Sequence, residues 1–286
     1  MPKFQASDGT ELAYHVLGEG APLVCVPGGP MQASAYLGDL GGLSRHRQLI
    51  MLDLRGTGSS AIPADPGSYR CDRLVEDVSA LHDHLGFDRC DLLGHSAGAN
   101  IAMLYAARQP RRVDKLALIT PSMRAVDLEP DAQMRREIVQ LRQDEPWYPA
   151  AAAAFERIVS GAGTDGDWDV IAPFGYGRWD AAAQAHWAAG DQQTNEEAAS
   201  AFGAQGAFDP ATTRAALAAL RAPVLVLAGG LDLQRPPRVA AEFAALFPAG
   251  QLAVQPGAGH FPWLDDASQF ASAVTAFLDG PRPQRQ

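Results

Sequence analysis

Short apolar or alternating runs, each closed by glycine, proline or an aspartate-rich turn, recur along this chain: "LAYHV", "PLVCVPGG", "QLIMLDLRG", "CDLLGHS", "DKLALIT", "APVLVLAGG" and "GQLAVQPGAGH". Their length and composition predict β-strands. From residue 49 on most of them are separated by helical patterns, at 72–85, 97–109, 210–220, 237–247 and 265–278. Strand alternating with helix leaves one economical solution, an α/β fold with a mostly parallel sheet covered by helices on both faces.

One interval interrupts the alternation. Residues 122–208 show no strand pattern but carry the helix-like pieces "DAQMRREIVQLRQ", "PAAAAAFERIVSG", "DAAAQAHWAAG" and "NEEAASAFG" between Gly, Pro and Asp turns. So long a stretch between two sheet strands reads as a helical insertion over one end of the sheet, a cap. The expected organisation is therefore a core of residues 1–121 and 209–286 with a lid of residues 122–208. The closing "GPRPQRQ" reads as a frayed tail.

Composition narrows the function classes. With 286 residues, 47% hydrophobic and 20% charged, the chain buries a sizeable core. Its formal net charge of -10, without a Lys/Arg block, excludes a phosphate backbone or an anionic membrane surface as the natural partner. No apolar run reaches the roughly 18 residues of a membrane span, and the polar start "MPKFQASDGTELAYHV" lacks the organisation of a secretory signal. Cys25, Cys71 and Cys90 show no metal-ligand spacing, so reduced thiols in a cytoplasmic protein are expected, with Cys25 a small core residue.

Chemistry concentrates in "DLLGHSAGANIAML". Gly94-His95-Ser96-Ala97-Gly98 matches G-x-S-x-G, a pattern short enough to arise by chance, but here it joins a strand to a helix. Small residues at 94, 97 and 98 suit a sharp turn that lifts a serine clear of the backbone; the bland alternative is a serine capping the following helix. A serine hydroxyl is a weak nucleophile at neutral pH and needs a base, which needs a group to fix its tautomer. Asp232 follows one predicted strand and His260 the next, both at the carboxyl end of a parallel sheet where ligands bind in such folds.

Pro27-Gly28-Gly29-Pro30 after a strand, "DLRGTGSS" at 53–60, "GHSAG" at 94–98, "GGLD" at 229–232 and "GAGH" at 257–260 together resemble the α/β-hydrolase superfamily, over roughly residues 3–121 and 209–279. The first two resemble its proline iminopeptidase branch. Pro27 stands where that branch carries histidine, Met31 where it carries glycine, and Ala97 where it carries an aromatic residue. The resemblance implies an α/β-hydrolase fold with a helical cap, a catalytic triad of Ser96, Asp232 and His260, and an oxyanion hole from the backbone N–H groups of Gly29 and Ala97. It disfavours epoxide hydrolase and dehalogenase chemistry, whose relatives place aspartate at the position of Ser96.

The remaining candidates divide between scaffold and site. His95, next to the serine in a turn that points neighbours apart, is expected to pack or line the pocket. His82 and His84 lie on a charged helix and are expected to be solvated, while His15 and His46 have no evident partner. His186 lies beside Trp187 in the insertion and is a pocket-lining candidate. Asp53 with Arg55 is expected to brace the "DLRG" loop, and Asp127 is the alternative triad acid. The aromatic-rich cap offers Trp147, Trp179 and Trp187 as substrate-binding residues, alongside Trp168, Phe155, Phe174, Tyr148, Tyr176 and Phe202. Glu196 and Glu197 are candidates to hold a substrate amine, as cap carboxylates do in the iminopeptidases, or else are first-turn glutamates that favour a helix dipole.

The expected function is a serine hydrolase acting through an acyl-enzyme on a small-molecule or short-peptide substrate, leaning to an iminopeptidase-like aminopeptidase or amidase. The alternative is a carboxylesterase, lactonase or thioesterase on a small apolar substrate; a non-catalytic ligand-binding module is the alternative from another class. No cofactor is implied, because the glycines at 56–58 lack dinucleotide spacing, and no metal-ligand cluster is evident.

Overall fold

The computed structural model describes residues 1–281, so the tail expected at 280–286 lies, from residue 282 on, outside the described residues. Its strands are β1 (Lys3–Gln5), β2 (Glu11–Leu17), β3 (Pro22–Val26), β4 (Gln48–Asp53), β5 (Cys90–His95), β6 (Val113–Ile119), β7 (Val224–Gly229) and β8 (Gly250–Gln255). They form one 8-stranded sheet in the order β1-β2-β4-β3-β5-β6-β7-β8. β2 pairs antiparallel with β1 and β4, and all other neighbours are parallel. Seven of these strands correspond to the sequence pattern. β1 does not, because three residues of "KFQ" are too few to show alternation; only pairing with Glu11, Leu12 and Ala13 makes them a strand.

Helices α1 (Cys71–His84) and α2 (Gly98–Arg108) precede β6; the insertion then carries α3 (Ala132–Gln140), α4 (Tyr148–Val159), α5 (Asp165–Ile171), α6 (Ala181–Ala188), α7 (Gly190–Gln193) and α8 (Glu196–Phe202). After it come α9 (Pro210–Leu217), α10 (Pro237–Ala244), α11 (Pro262–Asp265) and α12 (Ala267–Asp279). The short α5 escapes the apolar pattern because its start is chemical: Thr164 and Asp167 form a reciprocal capping box. α7 is a single turn, "GDQQ", with no apolar periodicity to read.

Period-2 alternation sends the side chains of each central strand to opposite faces, and both faces are buried. Val24, Ile50, Leu92, Leu116 and Val226 point toward α1, α2, α9 and α10, where they meet Leu74, Val78, Ile101 and Phe243. Leu23, Cys25, Leu93, Ala117 and Leu227 point the other way and pack on Phe270, Val274 and Phe277 of α12. Cys25 is thus the small core residue expected, and all three cysteines are buried and free. A separate small core joins Ile138, Val139, Phe155 and Phe174 of the cap to Leu233 of the loop after β7.

Two histidines depart from expectation. His15 is half-exposed but pairs through Nε2 with Asp53 Oδ2 at 3.0 Å. His82 is not solvated: it is 1% exposed on the inner face of α1, and its Nδ1 shares a hydrogen bond with the Tyr105 hydroxyl. The charge along α1 hides this, because only the docking of α2 against α1 shows which side of the helix is covered. Burial, aided by the positive charge of Arg112, pushes the His82 pKa down to about 4. The folded protein therefore holds His82 neutral while the unfolded chain protonates it below pH about 6.5, so stability is lost as pH falls from about 6.5 toward 4. From pH 7 to 5 this group should cost about 2 kcal/mol. Urea unfolding should show His82→Gln losing less stability over that interval than the wild type; equal losses would show that His82 does not carry the effect.

Candidate active site

The turn between β5 and α2 lifts Ser96 into a φ of 51°, a conformation that side-chain-bearing residues rarely adopt. Such a position costs on the order of 1–3 kcal/mol and persists only where the surroundings enforce it. Here the surroundings are backbone: Ser96 N–H donates to Ile119 O at 3.0 Å, and Ser96 O accepts from Ser122 N–H at 2.9 Å. A Cβ on Gly98 would lie 2.3 Å from Pro27 O, and one on Gly94 would lie 2.9 Å from Ala99 Cα, so neither glycine can be replaced without moving the turn.

Ser96 Oγ lies 2.8 Å from His260 Nε2, and His260 Nδ1 lies 2.9 Å from Asp232 Oδ2. Asp232 is fully buried, and its second oxygen accepts from the backbone N–H groups of Gln234 (2.8 Å) and Arg235 (3.1 Å). The turn after β7 thus supplies two backbone donors to a carboxylate shut off from solvent. His260 donates its backbone N–H to Gly175 O at 2.8 Å, tying its loop to the cap. Asp265 reinforces that tie by accepting from Gly259 and Gly177 N–H at 2.8 and 2.9 Å. Asp127, the alternative acid, is exposed at a left-handed turn after β6 and is joined to no triad member. Asp53 braces its loop as expected, accepting from Ser34 and Ser59 N–H, and Arg55 is bound to Asp77 and Asp8.

His95 joins three parts of the site. Its Nε2–H donates to His260 O at 3.0 Å, and its Nδ1 accepts from the Tyr36 hydroxyl at 2.6 Å. That hydroxyl oxygen accepts in turn from Gly28 N–H at 2.7 Å. Burial, with the neighbouring His260, holds the His95 pKa well below the ordinary histidine value, so the ring stays neutral and keeps this donor–acceptor sense. His186 is also kept neutral by burial; it donates from Nε2 to Tyr36 O at 3.1 Å and accepts from the Tyr176 hydroxyl at 2.8 Å. Tyr36 carried no motif signal; its role depends on a loop 60 residues from the serine in sequence folding back onto it.

Two adjoining cavities lie beside the cap, and the smaller opens at the nucleophile. The first, about 320 Å³, is lined by Ser96, His260, Gly29, His186, Glu196 and Asp191 among others. The second, about 590 Å³, lies under the cap and is walled by Phe155, Ile158, Ile171, Phe174 and Leu233, with Arg135 and Arg235. Tyr176, Trp187, Gln234 and Phe261 line both and form the partition. Of the three tryptophans proposed from the sequence, Trp187 lines both cavities. Trp147 is not in either wall: it packs edge-on to Phe174 at 5.0 Å beneath the Arg142 guanidinium, inside the cap's own core. Trp179 packs at a tilt against Tyr176, ring centroids 5.3 Å apart, outside both walls. Glu196 reaches the first cavity but Glu197 does not, because consecutive helical residues diverge by about 100°.

The residues from 21 to 267 match the family model described as alpha/beta hydrolase fold. Proline iminopeptidase of Heyndrickxia coagulans is 24% identical over 276 residues, 92% of each chain. Among solved structures, proline iminopeptidase of Mycobacterium smegmatis superposes with a TM-score of 0.72 at 25% identity, covering 97% of each chain. An esterase from Rhodococcus sp. superposes at 0.69 with 26% identity, covering 98% of each. This chain belongs to the α/β-hydrolase family, and the Ser96–His260–Asp232 arrangement on that scaffold makes it a serine hydrolase of small substrates.

Ser96→Ala should lower turnover by at least about 10³-fold while shifting stability by less than about 1 kcal/mol, since it removes one hydroxyl and leaves the turn intact. A fluorophosphonate should label the wild type at Ser96 and leave the variant unlabelled; labelling elsewhere with retained activity would refute the assignment. Tyr36→Phe removes the link between Gly28 and His95, and should lower kcat about tenfold with little change in KM, a loss of positioning that a purely structural role would not confine to kcat.

Proposed function

We propose that the protein is a carboxylic ester hydrolase, acting on a small ester or lactone through an acyl-enzyme at Ser96. Ser96 Oγ attacks the carbonyl carbon as its proton passes to His260 Nε2; Asp232 holds His260 in the tautomer that can accept it. The N–H groups of Gly29 and Ala97 receive the developing oxyanion. In support, neither donates to a protein acceptor among the described residues. The C–O bond then breaks, the leaving alkoxide takes the proton from His260, and water repeats the sequence to release the acid. We also propose that residues 122–208 act as a lid on a core of 1–121 and 209–286, since β6 and β7 adjoin in the sheet while the interval between them is helical.

The observation that carries the ester reading is the placement of charge. An aminopeptidase must hold a substrate ammonium on a carboxylate shielded from water. The carboxylates in the first cavity, Asp191 and Glu196, are both exposed, where an ion pair contributes only about 0–1 kcal/mol. In the larger cavity the one carboxylate, Glu129, is engaged with Arg235 at 2.8 Å. The likeness to proline iminopeptidases keeps amine recognition as a second reading, and Glu196 is the residue that favours it.

Propionyl and alanyl p-nitroanilides differ in the amine alone, and p-nitrophenyl propionate carries the same acyl group as an ester. The ester should be turned over, and the alanyl anilide should be no better a substrate than the propionyl one. A preference for the alanyl anilide of about tenfold or more, lost in Glu196→Gln, would replace the ester reading with the aminopeptidase one.

A further inference from the structure

The 590 Å³ cavity carries a charge pattern that hydrolysis of a neutral ester does not need. Arg135, half-buried on α3, has no ion pair or hydrogen bond from its guanidinium to any described residue. Its Nε and that of Arg235 are both shut off from solvent without a hydrogen-bond partner. Glu129 pairs with Arg235 and also offsets part of the Arg135 charge, but burial first and then the like charge of Arg235 outweigh it and push the Arg135 pKa below the ordinary arginine value. The wall thus holds two guanidinium groups against one carboxylate, a local positive excess in a chain of net charge -10.

Stranding a guanidinium beside a second one at the edge of an apolar chamber is unfavourable unless an anion completes it. We propose that this cavity is an anion subsite, in which Arg135, with Arg235 beside it, binds a carboxylate at the end of the substrate remote from the scissile ester. This rests on the ester-hydrolase reading above. Phe155, Ile158, Ile171, Phe174 and Leu233 flank an apolar spacer, so the substrate class is an ester whose short hydrocarbon segment ends in a carboxylate. The planar guanidinium fork suits that group, since it can donate two parallel hydrogen bonds to one carboxylate. Arg235 follows directly on Gln234, and both donate backbone N–H to Asp232, so the turn that holds the triad acid also supplies one wall of the subsite.

The matched pair mono-p-nitrophenyl adipate and p-nitrophenyl methyl adipate tests this, because the two differ only in whether the far end is a free carboxylate. With the full-length protein, kcat/KM should favour the free acid by about tenfold or more, as expected for a charge-assisted contact. The preference should collapse toward unity in Arg135→Gln and be kept in part by Arg135→Lys. Equal kcat/KM for the two esters in the wild type, or a preference untouched by Arg135→Gln, would overturn the subsite while leaving the ester-hydrolase reading intact. Binding of monomethyl adipate to Ser96→Ala by calorimetry separates the two conclusions. Binding that weakens about tenfold on adding Arg135→Gln, with no ester turned over by the wild type, would keep the subsite and sink the ester reading. Failure of monomethyl adipate to bind Ser96→Ala better than dimethyl adipate would count against the subsite on its own.

Discussion

Ser96 occupies a backbone conformation that its side chain disfavours, and the rest of the site is arranged around keeping it there. The strain is sustained because β5, β6 and the β3 loop converge on the turn: Ile119 and Ser122 hold the Ser96 peptide groups, and Val26 and Pro27 press so closely that only glycine fits at 98. A central parallel sheet supplies this rigidity because its strands are buried on both faces and cannot shift singly. The serine is thereby presented to His260 with its hydroxyl already at hydrogen-bond distance, so little reorganisation is left for the chemical step.

The loops that bring the partners are joined to one another by neutral polar groups. The chain from Gly28 N–H through the Tyr36 hydroxyl and His95 to His260 O connects the loop after β3, the nucleophile turn and the base with bonds that each need a defined protonation state. Burial supplies that state by suppressing imidazolium formation at His95 and His186. A cationic ring at 95 would force the Tyr36 hydroxyl to accept from Nδ1 instead of donating to it, and would stand against the positive charge that His260 acquires in the reaction. The cap is drawn into the same assembly through Asp265 and Gly175, so the base and the cap share one set of contacts.

Much of this was legible because chemistry and fold coincide in short motifs. Gly94, Ser96 and Gly98 between a strand and a helix, with Asp232 and His260 closing later strands, could be placed together because a parallel sheet gathers its carboxyl ends on one side. The cap resisted reading. Trp147, Trp179 and Trp187 look alike in sequence, yet only Trp187 reaches the cavities, and Glu196 and Glu197 differ by one residue but face different ways. Small helices joined by turns orient according to which faces they bury against one another, and that follows from packing rather than from any single segment's pattern.

The sequence by itself determined the α/β alternation, the position of the strained turn and the identities of nucleophile, base and acid, because these depend on local periodicity and on residues that few turns admit. Only the tertiary structure decided that His82 is buried, that Tyr36 and His95 link the site's loops, and that Arg135 and Arg235 meet at one cavity wall. Each of those depends on groups distant in sequence that meet only once the sheet and cap are assembled, where burial and neighbouring charge change what a side chain can do.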